Sequence, residues 1–536
     1  MTEKAVEAAR QERRPGRVLS VFKAVVLLAL LGVTGYGMIN EGLYGEELWL
    51  PVAAGILALL FITLFVGDFF WDVPVLGWVF VGLLAVLVGV KGVSLLWTVS
   101  EGETIREVVR ASMYTAAFLL TLAAVSAGRQ VGPLMDAAIL LIGAVAGYGL
   151  LQKISPLQYP VTSLDGVRVG STLDYANTTA IVLGMGVVLA LTRMEGAKNP
   201  FVRGLYAAAV IAFAATIYLT ASRGGIAALG LGLLVMLALT GNRLQAVGNL
   251  ILLSVPGAFL LWQMSSTEAL LSVGASSQEK LAAGSALLTY LIMALVAAFV
   301  LQAVFAFLIA RYELTGLGRK TVGAVLVGVA VVLVLGGALS LVVRYGGVGE
   351  AYAALTTQPE RSEDLSERLS STDLGFRQDY WRVAWEEWMR NPLTGTGAGT
   401  FQFTWLENRP EPTGVKQVHN LYLEQGTETG IFAFLAMTGF AGALLFVVAR
   451  AAWRSDPERE GGRRTLLAGL AAAAVVYLSS SFLEWHWYIP PSTLLFFVLA
   501  GAATKLALRE EWSLREEGVA DEARRTPAVG SHGKPA

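Results

Sequence analysis

The sequence predicts an all-α protein, a polytopic transmembrane helical bundle of about fourteen spans with one large extracytoplasmic loop that contains short helices. Three observations carry this. Of 536 residues, 55% are hydrophobic and only 15% charged, where an ordinary soluble domain carries charge on roughly a quarter. Apolar runs of about 20 residues, the length a helix needs to cross the hydrocarbon core, recur along the chain. The connectors between them alternate in Lys and Arg content, as the positive-inside rule requires. The net charge of −1 gives no electrostatic case for nucleic acid, and the lack of cysteine excludes disulfides, thiol catalysis and Cys-ligated metal.

Taken in order, residues 1–17 are polar and basic and form a cytoplasmic N-terminal tail. The apolar run after them has no small-residue cleavage signature and is expected to persist as the first span. Spans 1–11 fill residues 18–343, with runs at 18–39, 49–67, 75–96, 109–127, 131–151, 173–191, 201–221, 224–240, 244–264, 284–310 and 321–343. Residues 344–430 form the large external loop, and 431–506 hold spans 12–14 at 431–449, 465–481 and 488–506. Residues 507–536 read as a charged, flexible cytoplasmic tail.

With the N-terminus inside, the internal connectors carry Arg129; Arg193, Lys198 and Arg203; Arg243; Arg311, Arg319 and Lys320; and Arg450, Arg454, Arg459, Arg463 and Arg464. External connectors are poor in such residues, and 40–48 has acids but no base. The internal connector 68–74 has no positive charge and decides nothing. Both termini then lie in the cytoplasm.

Loops as long as 344–430 are usually functional or disordered. Its early part, 356–372, is rich in Ser, Glu and Arg, whereas Arg377, Tyr380, Trp381, Ala384, Trp385 and Trp388 recur at helical spacing and predict an interfacial aromatic helix. Next, in NPLTGTGAGTF, Gly395, Gly397 and Gly399 alternate. That pattern predicts a tight turn or a close backbone approach to something anionic.

His419, in VHNLYLEQGTETG, is the informative histidine. If that stretch is helical, His419, Leu423 and Gly426 share a face at the outer membrane surface. An unperturbed imidazole titrates near about 6.5 and suits a general base, although a lone loop histidine is most often a hydrogen-bonded surface residue. His486, between Trp485 and Trp487, reads as part of an aromatic belt, and His532 has no role. Arg223 in TASRGG and Arg168 in RVGSTLDYANTTA each adjoin a span on the external side. Either alone would simply snorkel. Together with Arg377 and His419 on one face they form a set of guanidinium forks suited to phosphate oxygens.

Four motifs, SRGG at 222–225, RVGSTLDYANTTA, FRQDYWRVAWEEWMRNPLTGTGAGTF and HNLYLEQGTETG, stand in that sequence around and within a single large loop. The set resembles the O-antigen ligase and polymerase superfamily over roughly the central and C-terminal two thirds of the chain. The resemblance implies transfer of a glycan from undecaprenyl pyrophosphate to a hydroxyl of a glycan, lipid or protein acceptor, at the outer face of the cytoplasmic membrane, with inversion and with neither metal nor cofactor. It implies His419 as the base and Arg223, Arg377 and Arg168 as pyrophosphate ligands. Arg168 and Asn177 match less closely, because Asp174-Tyr175-Ala176-Asn177 stands where Asn-Pro-Asn is usual. Glu424, Glu428, Tyr380 and Trp381 are candidates for orienting the base or binding sugar; the two acids read equally well as a solvated helix face.

Ligase and polymerase differ only in acceptor, which sequence does not choose. A polyprenyl-phosphate-sugar glycosyltransferase would use an acidic pair in the first external connector, where Glu41, Glu46 and Glu47 lie, but leaves the other motifs unexplained. A transporter should carry charge deep in its spans and show repeat symmetry; the sequence has no repeat and little such charge beyond Lys91, Asp136 and Arg344.

Overall fold

The computed structural model describes residues 16–126, 128–162, 166–272, 274–311, 377–410, 412–456 and 460–525. These residues form α-helices joined by short turns, with no strand among them. The helices are α1 (Arg17–Ile39), α2 (Glu46–Leu64), α3 (Val75–Val93), α4 (Glu101–Ala124), α5 (Val131–Ile154), α6 (Ala176–Gly196), α7 (Pro200–Thr220), α8 (Arg223–Leu239), α9 (Arg243–Ser265) and α10 (Ser277–Arg311). After them come α11 (Arg377–Arg390), α12 (Phe401–Asn408), α13 (Leu421–Arg454), α14 (Gly461–Ser480) and α15 (Pro490–Arg525). Eleven are long and apolar enough to cross a membrane; α8, at 17 residues, is a shorter apolar helix. The protein is a multi-pass membrane protein. The expected span 321–343 and the segment 356–372 lie outside the described residues.

Helix starts follow local chemistry. Asn199 caps α7 with Pro200 in its first turn, Ser222 caps α8, Asn242 caps α9 and Asn420 caps α13. In each case a side-chain oxygen takes one of the backbone N–H groups that a helix start leaves without a partner. The helices pack in two groups that meet along the middle of the molecule. In one, α6 contacts α7, α8 and α14, and α7 contacts α10; in the other, α13 packs on α3 and α15 on α4. Contacts of α5 with α6 and of α14 with α15 join them. The enclosed elements are α6 and the first half of α15, while α1, α2, α3, α9 and α10 turn most of their apolar side chains outward. Between helices in lipid, close approach depends on small residues. Thus a Cβ at Gly469 of α14 would stand 2.1 Å from Thr192 Oγ1 of α6.

Three expectations change. Intramembrane charge is less scarce than the sequence suggests: Lys23, Arg110 and Arg203 fall within expected spans and are buried. Each has a partner, Lys23 with Asp72 at 2.8 Å, Arg203 with Asn249 at 2.6 Å and Arg110 with Glu107. Second, α4 begins at Glu101, eight residues before the expected span. Hydropathy undervalues that turn because its charges are paired, Arg106 with Glu46 at 2.8 Å and with Glu103 at 3.1 Å. Third, where a flexible tail is expected, α15 runs on to Arg525 through a stretch rich in the good helix formers Glu, Arg and Ala.

Candidate functional site

The described connector residues 166–175, 221–222, 412–420 and 481–489 gather at one end of the bundle, beside α11 and α12. His419 is not helical, which corrects the expected helical face: α13 starts at Leu421 with Asn420 as its cap. His419 has φ +57°, a left-handed conformation that a non-glycine residue keeps only when its surroundings over-determine it. They do so here. The Val418 N–H donates to Glu424 Oε2 at 2.9 Å, the Leu423 N–H to Asn420 Oδ1 at 3.1 Å, and the Leu421 N–H to the Ser481 carbonyl at 2.8 Å.

The imidazole is half-buried, tilted against Tyr380 at 5.6 Å between ring centroids and edge-on to Trp485 at 6.3 Å. Its Nδ1 is buried with no hydrogen-bond partner among the described residues. Burial pushes its pKa down to about 4; the Glu484 carboxylate opposes this and the Arg377 guanidinium adds to it. His419 is therefore neutral at pH 7 and able to accept a proton.

Glu484 is the hub. Its carboxylate pairs with Arg377 Nη2, accepts the Asn177 amide at 2.8 Å through Oε1, and accepts the Tyr175 hydroxyl at 2.8 Å through Oε2. Burial would raise its pKa, but the Arg377 guanidinium, followed by His419 and the donated hydrogen bonds, holds it below the ordinary carboxylate range. Arg377 Nε also donates to the Leu483 carbonyl at 2.8 Å, tying α11 to this connector. On the far side Arg168 donates to Asn177 Oδ1 and, through Nε, to the Thr220 carbonyl at 2.8 Å. Thr220 ends α7, and Arg223 begins α8 three residues later, half-buried. A Cβ at Gly224 would lie 3.7 Å from the Leu483 side chain, so the start of α8 abuts the same connector.

Glu424 and Glu428 are neither solvated nor bonded to the imidazole, which corrects the solvated-face reading; both are buried. Glu424 accepts the Tyr488 hydroxyl at 2.7 Å as well as the Val418 N–H, so it grips the backbone that precedes His419. Glu428 accepts the backbone N–H of Gly399 at 2.7 Å and of Phe401 at 3.1 Å. The group that the glycine-rich run approaches is thus this internal acidic side chain. The run lies against α13, with the Gly397 N–H donating to the Glu428 carbonyl at 2.8 Å. Gly397 (φ +110°) faces Thr98, and Gly430 (φ +72°) kinks α13 where a Cβ would meet the Leu393 carbonyl oxygen at 2.1 Å. Neither position has room or conformation for a side chain.

The structure therefore joins His419, Arg377, Arg168, Asn177 and Tyr380 in one region, with Arg223 at its edge. Trp381 packs with Val383, Ala384, Phe401, Trp405 and Val418 under α11, its indole N–H buried without a partner among the described residues. His486 is not in a surface belt: it is buried, with Nε2 3.0 Å from Ser481 Oγ. Sequence reasoning missed Glu484 and Trp485. Trp485 packs on Tyr175 at 4.6 Å and on Tyr44 at 5.7 Å. The one available signal was a lone carboxylate in the short connector SFLEWHWYIP between two apolar runs.

No curated protein matches the chain. The family model for O-antigen ligase matches residues 280–438, a segment that includes α11, α12 and the turn bearing His419. Arg168, Asn177, Arg223 and Glu484 lie outside it, and the hydrogen bonds above bring Arg168, Asn177 and Glu484 to the matched part. Over residues 280–438, then, the chain is similar to the O-antigen ligase family.

Proposed function

We propose that the protein is a membrane glycan transferase of the O-antigen ligase type. It moves a glycan from undecaprenyl pyrophosphate to an acceptor hydroxyl at the outer face of the cytoplasmic membrane, with both termini cytoplasmic. One observation carries the reading: a half-buried imidazole, packed on Tyr380 and Trp485, lies beside a Glu484-centred network that ties together guanidinium groups drawn from distant parts of the sequence. A lipid-borne donor requires a site at the bilayer surface, and a pyrophosphate leaving group requires fixed cations.

In this reading Arg377, Arg168 and Arg223 hold the pyrophosphate through charge-assisted hydrogen bonds, each worth roughly 1.5–3 kcal/mol. The acceptor hydroxyl gives its proton to His419 as its oxygen attacks the anomeric carbon. The bond from that carbon to the phosphate oxygen breaks on the opposite face, the pyrophosphate leaves with the electron pair, and the configuration inverts. Glu484 opposes the burial that keeps His419 neutral, so it stabilises the imidazolium as it forms. Tyr175, Tyr380 and Trp485 offer aromatic faces to a sugar ring.

Changing Arg223 to Ala should weaken use of the lipid donor, seen as a raised KM for it, and Arg223→Lys should restore only part, because an ammonium lacks the planar fork. Full activity in both variants would remove Arg223 from the donor site. Transfer should also persist in EDTA; strict dependence on an added divalent ion would replace this mechanism by a metal-assisted one.

A further inference from the structure

The connector 481–489 is fastened to the start of α13 at both of its ends. At the first, the Ser481 carbonyl accepts the Leu421 N–H at 2.8 Å; at the last, the Tyr488 hydroxyl donates to Glu424 Oε1 at 2.7 Å. Between these anchors lie Glu484 and Trp485, which meet Arg377 and His419 respectively. The other oxygen of the same side chain, Glu424 Oε2, takes the Val418 N–H at 2.9 Å, one residue before His419. One buried side chain thus spans the two segments whose relative placement sets how the imidazole faces Trp485 and Glu484. Tyr488 is itself held from two sides. Its N–H donates to the Trp485 carbonyl at 3.0 Å, which joins it to Trp485 in one turn, and the Arg110 guanidinium lies over its ring, 4.8 Å from the centroid. Arg110 also stands 4.6 Å from the Trp49 ring centroid and pairs with Glu107, which meets Lys91 at 3.5 Å. Arg110, Glu107 and Lys91 are all buried, and a desolvated cation holds an aromatic ring more firmly than an exposed one does.

We propose that Glu424 and Tyr488 are positioning residues of the transfer reaction, a strut that keeps the His419 turn in register with the connector bearing Glu484 and Trp485. The inference rests on the transferase reading for what these two segments do once placed. His419 keeps φ +57°, a conformation that relaxes unless its neighbours hold it. Proton transfer needs the base within hydrogen-bond reach of the acceptor hydroxyl, and a misplacement of about 1 Å costs about 10²-fold in rate. The strut works by hydrogen-bond geometry and not by charge. A glutamine at position 424 can accept the Val418 N–H through its amide oxygen and donate to the Tyr488 oxygen through its amide nitrogen, because a phenolic hydroxyl both donates and accepts. An alanine there, or a phenylalanine at position 488, cuts the tie.

The test compares Glu424→Ala, Tyr488→Phe and Glu424→Gln in the full chain in nanodiscs. Glu424→Ala is expected to lower kcat roughly 10- to 100-fold and Tyr488→Phe about 10-fold, with little change in KM for the lipid donor, while Glu424→Gln recovers most of what alanine loses. In a His419→Ala background, Glu424→Ala should cost nothing further, as holds for residues that act as a unit. An equal further loss there would make Glu424 a general support of the fold and overturn the proposal. The second readout needs no transfer. Carbethoxylation of His419 by diethyl pyrocarbonate, followed by mass spectrometry, should quicken several-fold in Glu424→Ala and Tyr488→Phe, because a loosened turn exposes the imidazole, and keep the wild-type rate in Glu424→Gln. Unchanged reactivity in the first two variants, or a Gln variant as impaired as the Ala variant, overturns the strut. Should the wild type transfer nothing while His419 reactivity follows this pattern, the function proposed above fails and the strut stands as the device that holds the turn.

Discussion

Replacing His419 with alanine is expected to lower glycan transfer by roughly 10²- to 10⁴-fold, the contribution of a positioned general base, while the protein stays inserted and folded. The turn should survive because it is held by Glu424, Asn420 and the Ser481 carbonyl, none of which bonds the imidazole. Near-normal transfer by His419→Ala would remove this residue as the base. The pH profile carries the same idea further. With its pKa lowered to about 4, His419 is neutral above that value, so the acid limb for the free enzyme should fall near pH 4 and not near about 6.5. Bound pyrophosphate should move the limb upward, because its negative charge favours the imidazolium. The stability effect has the opposite origin. Between about 6.5 and about 4 the unfolded chain binds a proton at this position and the folded chain does not, so stability should decline as pH falls through that window. His486, also lowered to about 4 by burial, acts in the same direction.

Loss of the Glu484 carboxylate should have the second large effect. Removing one partner from a buried ion pair costs about 3–5 kcal/mol, because the other charge is left uncompensated. Arg377 is 22% exposed against 4% for Glu484, which points to the lower end. Glu484→Ala is therefore expected to lower the melting temperature in detergent and to abolish transfer. Glu484→Gln separates the two consequences. The amide oxygen can still accept from Tyr175 or Asn177, so most stability should return, but the charge that favours protonated His419 is gone. Transfer should stay low in Glu484→Gln, with the acid limb displaced to still lower pH. A Gln variant with wild-type transfer and an unmoved acid limb would reduce Glu484 to a structural tie.

The sequence by itself determined the class of fold. Hydropathy has a length scale, about 20 residues per crossing, that can be read without knowing what any span touches, and α1, α3 and α7 lie close to the bounds so read. The motifs likewise marked His419, Arg168, Arg223 and Arg377, because reactive residue types are conspicuous beside apolar spans. Only the tertiary structure decided what these residues do to one another. Glu484 stands more than a hundred residues beyond Arg377 and some three hundred beyond Asn177, and no spacing rule connects a carboxylate in one connector to an amide and a guanidinium in two others. Burial could not be read either. Glu424 and Glu428 have the pattern of a wet helix face, yet they lie inside because the Tyr488 hydroxyl and the Val418 N–H for one, and the Gly399 and Phe401 N–H groups for the other, replace their water. Lys23 and Arg203 pass unnoticed for the same reason: a charge in an apolar helix is tolerated when a partner meets it, and theirs, Asp72 in a connector and Asn249 on α9, are brought in by the fold, whereas Arg110 pairs with Glu107 on its own helix.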